Sequence, residues 1–427
     1  MQNVKGTYDF FGKEQAVRQK VRAALQEVFE LYDFESMEST VLHELDLLTS
    51  KYAGGDEIVK EMYRFTDQRG RKLGLRYDLT IPFAKVMALN PGIKLPYRRY
   101  EIGKVFRDGP VKRGRLREFL QCDVDMVGVA GPEAEAELML IAVEVFKRLD
   151  ISVTLRWNNR RFLSEILDSV GVPAEGSLSV MLTLDKLGKI GSDGVLEELR
   201  DKGISEPAVD EIAELIAMSE PSFRLLADRY GLGKSQGAAE VRALQALIDK
   251  LKLSAICRFD PFLSRGLSFY TGTVYEIFDA GGVYASSIGS GGRYDAIIGK
   301  LTGSEDMAYP AVGLSFGMES IMEMLRDRPI PAKAPKVVVL SIGDTIGDAL
   351  LAAAVLRSSG IQTGMEPAGR KLKKALASLE SRAVRYALLI GEEEVQTGKV
   401  RLKDMKAREE YVVPLDEAIF IVEKNDA

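Results

Sequence analysis

The densest chemistry in the sequence lies in Arg117-Glu118-Phe119-Leu120-Gln121-Cys122-Asp123-Val124-Asp125-Met126. Read with a period of two, Leu120, Cys122, Val124 and Met126 fall on one apolar face, and Phe119, Gln121, Asp123 and Asp125 on the other. In a second alternating stretch Arg99, Glu101 and Arg107 oppose Tyr100, Ile102 and Phe106. In a third, Arg76, Asp78 and Thr80 oppose Leu75, Tyr77 and Leu79. One such stretch is ordinary for a half-exposed antiparallel sheet. Three together point to a polar site floored by a sheet, with the loop from Asp108 to Gly114 bringing Arg107 beside Gln121. The residue types name the chemistry: arginines for phosphate oxygens, an aromatic for stacking, and carboxylates for a cationic or N–H-bearing ligand.

What the chain lacks narrows the choice. One histidine, His43, and two cysteines, Cys122 and Cys257, leave no set for a Cys- or His-based zinc site, a disulfide framework or a Ser-His-Asp nucleophile, and no metal site is expected from the residues. There is no apolar run of membrane-spanning length and no signal-like N-terminus, so a cytoplasmic protein is expected. A net charge of −5 argues against wholesale wrapping of nucleic acid. A local run, Arg98, Arg99, Lys104, Arg107, Lys112, Arg113 and Arg115, is a candidate phosphate-binding face. The glycine-rich stretches Ser264 to Gly272 and Gly289 to Asp295 match neither a P-loop nor a dinucleotide fingerprint, and on composition read as loops.

These residues need elements to hold them. At 427 residues the chain suggests two to three domains. Val17, Val21, Leu25, Val28 and Phe29 recur at helical steps, predicting an amphipathic helix over Glu14 to Tyr32. Strands are expected at Leu73 to Thr80, Tyr100 to Arg107, Arg117 to Val127, Tyr270 to Ile277 and Ala311 to Phe316, with a helix at Met318 to Leu325. Helical patterns fill Arg161 to Leu251. Pro329, Pro331 and Pro335 mark a linker, after which strand and helix alternate from Val337 to Leu402, as in a small α/β module.

The stretch "RRYEIGKVFRDGPVKRGRLREFLQCDVDMVG" from Arg98 resembles motif 2 of histidine–tRNA ligases, a class II aminoacyl-tRNA synthetase family. "SRGLSFYTGTVYEIF" from Ser264 and "GSGGRYD" from Gly289 are similar to its two histidine-specific signatures. "VKGTYDF" from Val4, "LRYDLTIPFAK" from Leu75 and "IGEEEVQTGKVRLKDM" from Ile390 extend the resemblance over nearly the whole chain. The resemblance implies an α/β protein with an α+β catalytic core: a class II antiparallel sheet with helices (1–160 and 257–326), a helical insertion (161–256), a linker (327–335) and a C-terminal α/β anticodon-binding domain (336–427).

It also implies a homodimer that uses L-histidine, ATP with Mg²⁺ and the histidine tRNA, without DNA or membrane partners. By motif position Arg107 and Arg265 are the implied catalytic residues, gripping the α-phosphate. Histidine is expected on Asp78, Thr80, Arg107, Gln121, Asp125, Arg265 and Tyr270, and ATP on Arg107, Arg115, Phe119, Arg265 and Gly317. Arg370, Lys371, Lys373 and Lys374 are the expected tRNA contacts. The chain departs from the family pattern at Ser320, where motif 3 normally ends in an arginine. It departs also at Gly109, where many relatives carry a carboxylate for which Asp108 can substitute, at Ser268 and Phe269, which stand for Asp-Tyr, and at Thr40, which stands for a proline. Those departures leave a second reading: a non-catalytic histidine-binding relative, such as the regulatory subunit of ATP phosphoribosyltransferase.

Overall fold

The alternation in the motif 2 region folds as strands Tyr97–Phe106 and Glu118–Val127, paired antiparallel with Arg99 opposite Asp125, Glu101 opposite Asp123 and Gly103 opposite Gln121. The computed structural model describes residues 1–49, 59–218, 221–266, 269–303, 309–326, 328 and 335–424. Ser268 and most of the expected linker lie outside the described residues. Two compact units, Met1–Arg328 and Pro329–Ala427, divide the chain.

Among the described residues the first unit is built on an eight-stranded sheet. Its order is Glu35–Ser36, Tyr97–Phe106, Glu118–Val127, Ala311–Gly317, Gly289–Arg293, Thr273–Asp279, Val153–Asn159 and Cys257–Phe259. Neighbours pair antiparallel except at the two edges. The helix Gly12–Leu31 buries the stripe Val17, Val21, Leu25, Val28 and Phe29. Its Phe29, and Phe146 from the helix Glu133–Arg148, both approach Phe316 with centroids 5.7 Å apart. Each fully buried apolar side chain of this kind contributes roughly 1.5–3 kcal/mol, so this face of the sheet is sealed. The polar face is left for a ligand.

Two expectations are overturned. The predicted strand at Leu73 to Thr80 ends at Leu75 and belongs to a separate three-stranded sheet, while Thr80 opens the helix Thr80–Leu89. Between them Arg76, Tyr77, Asp78 and Leu79 are all buried. The alternation there reflects burial on both sides: Arg76 pairs with Glu101 at 2.7 Å and donates to Lys104 O, and Asp78 Oδ1 accepts from Ile81 N at 3.3 Å in the first helical turn.

The glycine-rich stretch read as a loop is instead the central strand Gly289–Arg293. Glycine is needed by close approach. A Cβ on Gly291 would stand 2.0 Å from Gly313 O, and one on Gly292 would stand 2.6 Å from Thr273 O.

Residues 160–250 form six helices among those described, from Arg160–Ser169 to Gln236–Lys250. Side chains of Asn159, Ser222 and Ser235 cap three of them. The second unit carries a five-stranded sheet, Thr363–Met365, Val337–Ser341, Tyr386–Ile390, Val400–Asp404 and Glu409–Val413, whose first three strands are parallel. No helix among the described residues is long and apolar enough to cross a membrane.

Candidate functional site

On the polar face of the large sheet lies a cavity of about 230 Å³, lined by Asp78, Thr80, Arg107, Phe119, Gln121, Asp123, Asp125, Arg265, Tyr270, Tyr294, Ser315 and Gly317 among others. That is below the volume usual for drug-sized ligands. A larger cavity, about 650 Å³, opens by Arg18, Arg22, Tyr100 and Leu120. The smaller one holds the unsatisfied chemistry: Asp78 Oδ2, Gln121 Oε1, Asp123 Oδ1 and Arg265 Nε are buried without a hydrogen-bond partner among the described residues, while no residue of the larger one has such an atom. Buried polar groups without partners are costly and mark places where a ligand is expected.

Sheet register builds the floor. Glu101, Asp123, Ser315, Ser290 and Glu276 form one row across five strands, and Arg99, Asp125, Gly313 and Gly292 form the next. Arg107 and Arg265 flank the floor. Arg107 follows the strand Tyr97–Phe106; its Nε donates to Tyr77 O at 3.0 Å, and its guanidinium lies 5.2 Å from the Phe119 ring centroid. Arg265 is fixed from three directions: it pairs with Glu276, donates to Ser290 Oγ at 2.9 Å, and its backbone N–H donates to Asp185 Oδ1 at 3.1 Å. It holds φ at 66°, a costly conformation for a side-chain-bearing residue and one that clusters at functional sites.

The carboxylates differ. Asp125 Oδ1 accepts from the Tyr294 hydroxyl at 2.6 Å, and Oδ2 lies 2.7 Å from the fully buried Arg99 guanidinium as an ion pair without hydrogen-bond alignment. Asp78 is pushed up to about 6 by burial, against opposing pulls from Ile81 N–H, Arg107 and Arg99. Asp123 is pushed up to about 8 by burial and by Asp125, despite Arg99 and Ser315. Burial holds the Tyr270 hydroxyl up at about 12.

The sign for Asp123 is definite. Below about pH 4 its carboxyl is neutral in both folded and unfolded states. Above that the unfolded chain ionises while the folded one resists until about pH 8, so stability drains away as pH rises. Asp123→Asn, which cannot ionise, should gain on wild type by up to about 1.4 kcal/mol per pH unit over that window and no more above it. Thermal melts at about pH 5 and about pH 8 should show that gap widening, and a gap that stays constant between them refutes the assignment.

Of the expected site residues, Asp78, Thr80, Arg107, Phe119, Gln121, Asp125, Arg265, Tyr270 and Gly317 line one cavity. Arg115 does not: it is half exposed and held by the Glu61 carboxylate at 2.8 Å. The basic run is likewise no single face. Arg98 pairs with Glu137, Arg99 with Asp125, Lys104 with Glu118 and Arg113 with Glu323. In the second unit Arg370 pairs with Glu366, whereas Lys371, Lys373 and Lys374 are exposed at the start of the helix Leu372–Ser381.

Residues the sequence reading left without a role are Asp123, Ser315 and Tyr294. The alternation had already placed Asp123 on the polar face.

At the departures, the structure supplies neighbours. The Glu61 carboxylate fills the space beside Gly109, where a Cβ would meet its oxygens at 2.6 and 2.8 Å. Asp108, the expected substitute, instead pairs with Arg117 at 3.2 Å. Ser320 is buried, with Oγ 3.2 Å from the Tyr284 hydroxyl, and that hydroxyl also donates to Arg113 O at 3.4 Å. Tyr284 therefore bars a longer side chain at 320. Ser320→Arg alone should cost about 2–4 kcal/mol through overpacking and a buried unpaired charge. Adding Tyr284→Ala should recover most of this in a melting experiment, and an undisturbed Ser320→Arg protein would show that Tyr284 yields freely.

A family model described as histidyl-tRNA synthetase matches residues 6–321, and one described as anticodon binding domain matches residues 336–425. Histidine–tRNA ligase 1 of a Bacillus cereus strain is 45% identical over 417 residues, spanning 97% of this chain and 98% of the relative. The crystal structure of histidyl-tRNA synthetase from Nostoc sp. PCC 7120 superposes with a TM-score of 0.83 at 25% identity, over 99% of each chain. A Bacillus halodurans structure described as an ATP phosphoribosyltransferase regulatory subunit/histidyl-tRNA synthetase shares the fold, with a TM-score of 0.75 at 19% identity over 91% of this chain and 98% of that one. A match this long to the first model, joined to a relative at 45% identity across nearly all of both chains, establishes that the chain belongs to the histidyl-tRNA synthetase family.

Proposed function

We propose that this chain ligates histidine to its tRNA in two steps. In the first, an oxygen of the histidine carboxylate attacks the α-phosphorus of ATP and pyrophosphate leaves. In the second, a hydroxyl of the tRNA's terminal adenosine attacks the carbonyl carbon of the adenylate and AMP leaves. The observation carrying this reading is one cavity in which Arg107 and Arg265 flank orphaned carboxylates, a donor and acceptor set suited to an amino acid and a phosphate together.

The residue roles are part of the proposal. Arg107 and Arg265 neutralise charge that grows on the α-phosphate as phosphorus becomes five-coordinate. Asp78 Oδ2 and Thr80 take the α-ammonium, Gln121 orients the carboxylate, and Asp125 accepts the imidazole N–H while the Tyr270 ring, its hydroxyl engaged by Arg265, meets the imidazole's side. Phe119 stacks on adenine and Gly317 lets the nucleotide approach the sheet. Arg115 reaches ATP only by leaving Glu61. ATP enters as its Mg²⁺ complex, the metal being part of the substrate.

Residues 1–160 and 257–326 serve as catalytic core, 161–256 as an inserted helical domain, 327–335 as linker and 336–427 as the anticodon-binding domain. Lys371, Lys373 and Lys374 sit at the positive end of a helix, where an RNA phosphate is doubly attracted; Arg370 joins them if it releases Glu366. A cytoplasmic homodimer completes the reading.

The regulatory alternative rests on Ser320, but the ligase relative at 45% identity and the matched anticodon module weigh against it. Histidine-dependent ATP–pyrophosphate exchange, followed by charging of histidine tRNA, is the test. Histidine binding without exchange at any ATP concentration would favour the regulatory reading.

A further inference from the structure

We propose that Asp123 is a second recognition residue for the imidazole, acting as a proton-bearing donor beside an anionic Asp125. The proposal rests on the reading of the cavity as a histidine site. At neutral pH an imidazole ring offers one N–H donor and one lone-pair nitrogen. A pocket that reads both atoms needs one acceptor and one donor, and two adjacent carboxyl groups in different protonation states provide them. Burial raises both carboxyls, but Asp125 is the one held as the acceptor, because the Arg99 charge and the Tyr294 hydroxyl both favour its anion. Asp123 is two residues along the same strand and on the same face, is 97% buried by its 3% exposure, and keeps Oδ1 without a partner in the cavity wall.

The surroundings of Asp123 favour its neutral form. On its own strand stands Asp125, and from the paired strand Glu101 lies directly opposite while Arg99 stands one row away. Ser315 faces it from the other neighbouring strand. Asp78 reaches the same cavity from the segment before its helix, and the Tyr270 and Tyr294 hydroxyls close the remaining sides. Arg99 is the nearest cation in this set, and it is already engaged by Asp125 at 2.7 Å. Like charges crowded in a dry site share protons instead of both ionising. Asp123 accepts the Ser315 hydroxyl but has no ion pair among the described residues, whereas Asp125 has both a hydroxyl and the Arg99 guanidinium, so Asp123 is the one that keeps the proton and its Oδ1–H is aimed at the ring's unprotonated nitrogen.

Isothermal titration of L-histidine across about pH 6.5 to 9.5 tests this on wild type, Asp123→Asn and Asp123→Ala. Wild-type affinity should be level up to about pH 8 and then fall by as much as tenfold per unit, as the donor is lost. Asp123→Asn keeps an N–H donor that does not titrate, so its affinity relative to wild type should rise over the same range. This ratio cancels the ligand's own ionisations and those of Asp78 and Tyr270. Asp123→Ala, with no donor, should bind about 10- to 100-fold more weakly than wild type at neutral pH.

A second measurement needs no variant that might misfold. Titrations near pH 8 in buffers of different ionisation heat should show wild type taking up roughly half a proton per histidine beyond the uptake that the free ligand's ammonium accounts for. A wild-type affinity that rises through this range, an Asn variant that falls in parallel with wild type, or no excess proton uptake would each overturn the role of Asp123. Wild type that binds no histidine at any pH would instead overturn the functional reading, and this one with it.

Discussion

Replacing either Arg107 or Arg265 by alanine should lower histidine-dependent ATP–pyrophosphate exchange by about 10²- to 10³-fold. The size follows from preorganisation. Arg107 is aimed by Tyr77 O and lies against the Phe119 ring, and Arg265 is pinned by Glu276, Ser290 and Asp185 before any substrate arrives. Neither must be gathered from solvent at the moment charge builds on phosphorus, so losing one removes its full contribution to the transition state. Arg265→Lys should restore only part of the rate, because an ammonium cannot engage Glu276 and a phosphate through one planar fork. Histidine KM should move less for Arg265→Ala than for Arg107→Ala. A loss below about tenfold in exchange would mean that the arginine does not touch the reacting phosphate.

Ending the chain after Arg328 should abolish tRNA charging, by about 10³-fold or more, while adenylate formation stays within a few-fold of the full-length rate. Hydrophobic clusters explain why the remainder should fold. The core around Tyr77, Phe83 and Tyr294 and the one around Leu163, Val209 and Ile212 draw only on the first unit. Those around Val337, Leu388 and Ala352 and around Leu340 and Leu379 draw only on the second. Every residue proposed to touch histidine or ATP lies in the first. Charging by contrast must hold a large polyanion in register, and the exposed lysines ahead of Leu372 are lost with the second unit. Equal loss of both activities would show that the second unit supports the first.

The strands carrying most of the cavity floor were legible because their residue types alternate along true strands: Leu120, Cys122, Val124 and Met126 share the buried apolar face, and Gln121, Asp123 and Asp125 share the cavity face, although Asp123 and Asp125 are buried as well. The same rule failed at Arg76 to Leu79, which lie between the end of a strand and the start of a helix: all four side chains are buried there, and their alternation marks no sheet face. Composition misled at Gly289–Arg293, since glycine's low strand propensity says nothing of neighbours that leave no room for a Cβ. Charge content misled at Arg98 to Arg117, because a run of cations does not reveal the acids that fold back onto it, such as Glu61, Glu137 and Glu323. Nor did the sequence tell that Asp125 has a buried guanidinium behind it. Asp125→Asn would strand Arg99, so that substitution reports on folding as much as on recognition.

The glycine row has an evolutionary corollary. Part of the floor at Gly292 and Gly313 is bare main chain, and a methyl added at Gly313 would stand 1.9 Å from Asp125 Oδ1. Side-chain walls can swing aside for an unfamiliar guest; a wall of peptide groups fixed by strand spacing has no rotamers to yield. The mesh of this sieve is thus set by the sheet. Drift at the glycines can only close it, and any lineage that came to accept a bulkier amino acid would have to shorten Asp125, Asp123 or Tyr294 instead.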